Sequence, residues 1–233
     1  MNGSQLESAE LHVLGRLVDA SNATLLCEIF DEDGESSKVI YKPTAGERPL
    51  WDFPKGNLAG REVAAFKLSE LLEFHLVPET VLRDGPFGPG SVQRWIEVDE
   101  EIDLTLFSTS SSEAIRKIAF FDVLVNNTDR KFGHLLPVNA ESIFACDHGL
   151  TFHTEDKLRT VLWQFAGEAL SQSEIATLNT LLDGTDSQMW KPFNELITHD
   201  EIAALLSRAK RLIDEGVFPM PSEDWPTVPW PPF

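Results

Sequence analysis

The spacing of apolar positions changes along the chain, and those changes predict its elements. Residues 11–18 alternate loosely and read as a short helix-to-strand lead-in. A polar turn, Asp19-Ala20-Ser21-Asn22-Ala23-Thr24, separates it from the apolar run Leu25–Phe30. A second turn, residues 31–35, precedes Lys38-Val39-Ile40-Tyr41-Lys42-Pro43. Three strands joined by two turns predict an antiparallel meander. Residues 44–57, with Gly46, Pro49, Pro54 and Gly56 beside Trp51 and Phe53, fit neither period and read as an ordered loop. From Leu58 the period becomes helical, with Val63, Phe66, Leu68, Leu71 and Leu72 on one broad stripe. Two further strands are predicted at 77–83 and 91–98, around a turn-rich connection at 84–90.

The acidic run Asp99–Asp103 marks a crossover, and 97–104 is the expected junction between two lobes. Ser110-Ser111-Ser112-Glu113 is a helix start, followed by Ile115, Ile118, Ala119, Phe121, Asp122, Leu124 and Val125. This helix is apolar on nearly every side near its end, so it is expected to be buried. It delivers the loop Asn126-Asn127-Thr128-Asp129. Residues 135–138 and 142–146 then form a hairpin around Asn139–Ser142, and helices are predicted at about 171–183 and 199–215. Residues 219–233 hold six prolines with Trp225, Trp230 and Phe233, so this stretch is non-helical and reads as an extended strap along the body. The expected organisation is an α+β fold: residues 1–98 with five strands and one helix, a mostly helical part at 99–218, and a tail at 219–233.

Charge narrows the partners. The chain of 233 residues carries 38 acidic against 19 basic side chains, a formal charge of −19. Nucleic-acid binding needs clustered Lys and Arg, so no nucleic-acid partner is expected. The same charge disfavours an anionic membrane surface. No run of about 18 apolar residues predicts a membrane span. The first ten residues lack a basic flank and an apolar core, so no signal peptide is expected. Cys27 and Cys146 are far apart in apolar runs and match no zinc spacing, which suits two reduced thiols. The expected location is cytoplasmic.

Candidate chemistry sits where apolar runs meet polar turns. Asp129 follows a helix and opens a loop; Asp147 ends a strand before a turn on Gly149. Helix, loop and hairpin can bring both carboxylates into one cleft. Phosphoryl transfer needs such a pair, one carboxylate to orient or deprotonate an attacking hydroxyl and one to hold the magnesium that bridges nucleotide phosphates. The plainer reading is a capping Asp and a turn Asp. Lys42 lies in an apolar strand and needs a partner, because an isolated buried ammonium is expensive. Glu62, placed in the first helical turn, either serves the helix dipole or pairs with Lys42 and aims it at phosphate. Backbone N–H groups and the hydroxyls of Ser21 and Thr24 offer a turn that can cover phosphates.

Taken in order, these motifs resemble the protein-kinase-like superfamily. The pattern is Val39-Ile40-Tyr41-Lys42-Pro43, Gly60-Arg61-Glu62-Val63, Leu76-Val77-Pro78-Glu79-Thr80, Asp129-Arg130-Lys131 and Asp147-His148-Gly149. It is most similar to the phosphatidylinositol 3-/4-kinase branch, notably type II 4-kinases, with more distant similarity to HipA-type kinases. More narrowly, it resembles an actinobacterial family grouped with them. The similarity covers roughly residues 12–155. It implies a bilobal fold, ATP and Mg²⁺ or Mn²⁺ as cofactors, and transfer of the γ-phosphate to a hydroxyl of a small polyol, a lipid head group or a protein.

By position, Lys42 would contact phosphates and Glu62 would hold it. Ser21, Asn22 and Thr24 would cover the phosphates, and Glu97 and Val98, ending the fifth strand, would meet adenine. Asp129 would be the catalytic aspartate, with Arg130 beside it in the catalytic loop, and Asp147 the main metal ligand. The family pattern has a metal-binding Asn where this chain has His134, which would bind metal directly or act as a donor behind it. His148 is expected to pack on the neighbouring helix and His153 to lie in the segment after the Asp147 turn. Lys157 and Arg159, in that segment, are candidates for an anionic acceptor. A nucleotide-binding pseudokinase that regulates a protein partner, or an enzyme transferring AMP, remain alternatives.

Overall fold

The computed structural model describes residues 3–17, 23–48, 50, 52–53, 58–139, 141–184 and 188–233. Ser21 and Asn22 of the expected phosphate-covering turn, Trp51, and residues 49 and 54–57 of the ordered loop lie outside them.

A five-stranded antiparallel sheet, ordered β1-β2-β3-β5-β4, forms the first lobe. Its strands are β1 His12–Arg16, β2 Leu25–Phe30, β3 Ser36–Pro43, β4 Thr80–Gly85 and β5 Gly88–Arg94. Val39 and Tyr41 turn one face of β3 into a small core with Leu6, Leu11, Cys27, Ile29 and Val92. Alternation then sends Lys42 to the other face, toward helix α2, Leu58–Leu71. A short helix α1, Gly3–Ser8, was not expected from the pattern; its Leu6 is fully buried, and Arg83 donates to the Leu6 and Ala9 carbonyls at 3.1 and 2.7 Å.

The β4–β5 hairpin differs from the expected limits. Pairing runs through the glycines, Gly85 opposite Gly88 and Arg83 opposite Gly90, so most of the predicted connection is strand. Glycine is required at 90, where a Cβ would collide with the Lys42 carbonyl and Pro43. At the other end β5 stops at Arg94, which pairs with Glu79, and Glu97 and Val98 therefore do not end a strand. Both are exposed, and the Glu97 carboxylate takes a hydrogen bond from Lys38 at 3.1 Å.

The second lobe is built on α4, Glu113–Val125, with α3 Leu104–Ser108, a two-stranded sheet β6 Leu135–Pro137 and β7 Ile143–Ala145, and helices α5 Gln172–Asp183 and α6 His199–Glu215. Ser112 caps α4 by accepting from the Ile115 N–H at 3.4 Å. Every residue from Ile118 to Val125 is buried. That end of α4, with α2, the hairpin, α5 and α6, forms one large hydrophobic cluster. α2 thus belongs to the main core although it follows the sheet. Arg61 fixes it there: its guanidinium pairs with Glu201 of α6, donates to the Thr151 carbonyl at 3.1 Å and lies 4.9 Å from the Phe53 ring. Leu71, predicted on the buried stripe, is exposed at the last turn of α2.

Burial makes the energetic contrast on these helices testable by chemical denaturation. Leu124→Ala, at a fully buried position of α4, should cost about 2–5 kcal/mol, whereas Leu106→Ala on the exposed face of α3 should stay within about 0.5 kcal/mol.

Candidate active site

The site is organised by one ammonium. Lys42 Nζ on β3 pairs with Glu62 Oε1 and lies 3.1 Å from Asp147 Oδ1, which joins a strand of the first lobe to the loop after β7. Within the described residues Glu62 stands on the second turn of α2, not the first, so its role is this pairing and not a dipole contact. Its Oε2 accepts the His148 N–H at 3.0 Å. Burial works against the Lys42 charge, but Asp147 and Glu62 outweigh it and hold the ammonium well above the usual lysine value. The two carboxylates are shifted in opposite directions. Burial opposes its charge, but Lys42 and His134 hold it well below the usual carboxylate range. Burial pushes Glu62 up.

Asp147 adopts a left-handed backbone, φ 59°. That costs a non-glycine residue on the order of 1 kcal/mol and survives only where neighbours fix it. Here both flanks are fixed: the Cys146 carbonyl accepts from Arg130 Nη1 at 2.7 Å, and the His148 N–H is held by Glu62. The result leaves the carboxylate half-exposed beside Lys42.

Asp129 is positioned from α4. The helix ends at Asn126, in the left-handed conformation, and Asn127 Oδ1 then accepts the Asp129 N–H at 3.0 Å. Asn127 Nδ2 in turn donates to Asp122 at 2.9 Å. Lys131 Nζ lies 3.4 Å from Asp129 Oδ2. Burial pushes the Asp129 carboxyl above the usual range; Lys131 opposes this, and the charge of Asp147 adds to it. The two aspartates therefore sense each other.

Arg130 faces inward. Its fully buried guanidinium lies 2.9 Å from Asp122, itself fully buried, donates to the Cys146 carbonyl, and meets His148 Nε2 at 2.8 Å. It braces both acidic loops from below. His148 packs edge-on against Phe121, and burial holds its imidazole well below the ordinary histidine value. Asp122, Asn126 and Asn127 were not singled out as site residues from the sequence. A carboxylate inside the most apolar stretch of a helix was the available signal, since it demands a buried cation.

His134 lies at the end of a single 3-10 turn, with Nε2 3.3 Å from Asp147 Oδ2. The Lys131 N–H points at Nδ1 from 3.4 Å, which leaves the ring proton on Nε2, directed at Asp147. Burial lowers the ring to about 4, so it is neutral at pH 7. Among the described residues no group of three or more His, Cys, Asp or Glu side chains could hold a metal on its own. A magnesium ion commonly takes only one or two protein carboxylates and completes its shell with phosphate oxygens and water. Asp147 fits that donor set; His134 fits better as a donor to Asp147.

Of the remaining expected site residues, Thr24 follows the Leu25–Tyr41 pair and so sits across from Lys42. Thr24 is buried and its carbonyl accepts the Leu17 N–H at 2.9 Å. Glu97 and Val98 are at the exposed exit of the sheet. Lys157 is buried between Asp52, Glu155 and the Trp225 ring. A cavity of about 660 Å³ lies beside Arg61, Phe53, His153 and Lys157, and neither Lys42, Asp129 nor Asp147 lines it. Among the described residues no helix is long and apolar enough to cross a membrane.

A five-stranded sheet that carries Lys42, a helix that brings Glu62 to it, and a mostly helical lobe with two acidic loops make a protein-kinase-like fold. The comparisons agree. The chain superimposes on the Golgi casein kinase with Mn/ADP bound with a TM-score of 0.59 and 14% identity, covering 91% of this chain and 74% of that one. For hydra Fam20 with sugar the TM-score is 0.56 at 14% identity, over 91% and 86%. No protein-family model matches. In sequence, the chain is 39% identical over 263 aligned positions to Protein Rv2133c of Mycobacterium tuberculosis, covering 98% of this chain and 94% of the relative, and it belongs to that protein's family.

The buried histidines predict a pH dependence. A histidine held neutral in the fold takes up its proton only on unfolding, so its contribution is fully present above pH 6.5 and is lost as pH falls toward 4. For His134 that loss should reach about 3 kcal/mol between pH 7 and pH 4. His134→Gln should flatten this part of the stability profile measured by urea unfolding.

Proposed function

We propose that the protein is an ATP-dependent phosphotransferase acting on an alcohol, with Mg²⁺ or Mn²⁺. The observation that supports this most is the Lys42 ammonium shared between Glu62 and Asp147 across the two lobes, with Asp129 close enough to feel the Asp147 charge. The bound divalent cation would neutralise phosphate charge, held by Asp147 and the nucleotide's own oxygens. Lys42 would orient the phosphates. Asp129 would accept the proton of the acceptor hydroxyl as its oxygen bonds to the γ-phosphorus and the bond to the β–γ bridging oxygen breaks, ADP leaving with that electron pair. Burial raises Asp129 toward a more basic carboxylate, which suits proton acceptance. Arg130 would position rather than react. The phosphatidylinositol 3-/4-kinase character of the motifs belongs to this proposal, as does the acceptor.

A second reading is a nucleotide-binding regulator without transfer. It is favoured by His134, whose Nε2 proton faces Asp147 where the family pattern supplies a metal-binding amide.

The two readings separate on variants. Asp129→Asn should lower phosphate transfer at least about 100-fold, the usual range for a lost proton acceptor, with nucleotide affinity little changed. Asp147→Ala should remove metal-dependent ATP turnover while the circular dichroism spectrum is retained. Turnover that survives Asp147→Ala rejects the site; nucleotide binding in the wild type without any turnover of γ-labelled ATP favours the regulator.

A further inference from the structure

Arg159 is an unusual cation for so acidic a chain. Carboxylates outnumber Lys and Arg by 38 to 19, yet its Nε is buried with no hydrogen-bond partner, and among the described residues no carboxylate forms an ion pair with it. A buried donor of a charged group left unsatisfied is costly, so such a group in a native fold implies something it is kept for.

Its place gives the reason. The Arg159 N–H donates to the Asn127 carbonyl at 2.9 Å, and the Arg159 carbonyl accepts the Arg130 N–H at 3.1 Å. Those two bonds fall on either side of Asp129, so the Arg159 backbone is fastened alongside the proposed proton acceptor. The Val161 N–H adds a third bond, to the Arg130 carbonyl, at 3.2 Å. The positive charge of Arg159 also reaches Asp129, where it offsets part of the burial.

The proline-rich segment limits what can approach this strip. The Thr227 carbonyl accepts the Thr160 N–H at 3.0 Å and Trp163 Nε1 at 2.8 Å, and the Pro232 carbonyl accepts the Phe132 N–H at 2.8 Å. The Phe233 ring packs at a tilt against Phe132, with ring centres 5.0 Å apart. The N–H groups of Arg159, Thr160, Arg130 and Phe132, which an extended peptide acceptor running along this strip would need, are therefore taken by the chain's own carbonyls.

We propose that Arg159 binds the anionic group, a phosphate or carboxylate, of a small polyol whose hydroxyl then lies against Asp129. This rests on the phosphotransfer reading and names its acceptor class. A free polyol phosphate and a phosphoinositide head group present the same chemistry and are told apart by the probe.

The test is thermal shift of the full chain with saturating Mn²⁺ and a non-hydrolysable ATP analogue. Added probes are myo-inositol, myo-inositol 1-phosphate, glucose, glucose 6-phosphate, and vesicles of phosphatidylinositol in phosphatidylcholine, the last read by co-sedimentation. The expected result is stabilisation by at least one phosphorylated sugar or polyol, none by its neutral counterpart, and affinity at least about tenfold weaker in Arg159→Gln. Arg159→Lys should fall between the two. Binding to vesicles but to no free phosphate would assign the head-group source. Equal effects of neutral and anionic probes, no response to any anion, or an unchanged anion response in both variants would overturn the inference. In each of those cases a retained nucleotide shift leaves the phosphotransfer reading standing; a wild type with no nucleotide shift overturns both.

Discussion

One ammonium between two carboxylates sets the geometry of this molecule. Lys42 comes from an early strand, Glu62 from a helix embedded in the main core, and Asp147 from a loop more than a hundred residues downstream. Buried ion clusters are poor stabilisers, since desolvation offsets most of their Coulomb gain, while loss of one member leaves an uncompensated charge. A hydrophobic trio would hold the lobes together as well. On the phosphotransfer proposal, the cluster presents a positive group and an ionised carboxylate to the same ligand.

A second buried pair supports the first. Asp122 on α4 and Arg130 in the loop are both inaccessible to solvent, and Arg130 extends its remaining donors to the Cys146 carbonyl and His148. One guanidinium thus ties the end of α4, the Asp129 loop and the Asp147 turn into a single unit. The left-handed backbone at Asp147 is tolerated because it is held from both flanks. Asn127 completes the arrangement by linking Asp122 to the Asp129 N–H. Preorganisation of this kind is what phosphoryl transfer demands, where positioning and charge placement do most of the work.

Much of the architecture was readable in the sequence because it depends on local pattern. The capping Ser112 and the period of α4, α5 and α6 fixed those helices closely. The meander and the hairpin after Asp129 followed from turns between apolar runs. Strand limits at β4 and β5 were missed because glycine-rich pairing carries no side-chain alternation, and α1 because its burial depends on a sheet formed later in the chain. At the site, the need of a lysine in an apolar strand for a partner led to Glu62. The same reasoning applied to Asp122 would have led to Arg130. The tautomer of His134 and, among the described residues, the unsatisfied Nε of Arg159 depend on contacts across the fold, which no local pattern encodes.

The proposal that a nucleotide binds at Lys42 and Asp147 is tested most directly by a crystal structure with Mn²⁺ and a non-hydrolysable ATP analogue. The account predicts the β- and γ-phosphates between Lys42 and Asp147, with the metal on Asp147 and the γ-phosphorus facing Asp129. A nucleotide seated instead in the 660 Å³ cavity beside Arg61, or anywhere that leaves the Lys42–Asp147 contact untouched, would contradict it.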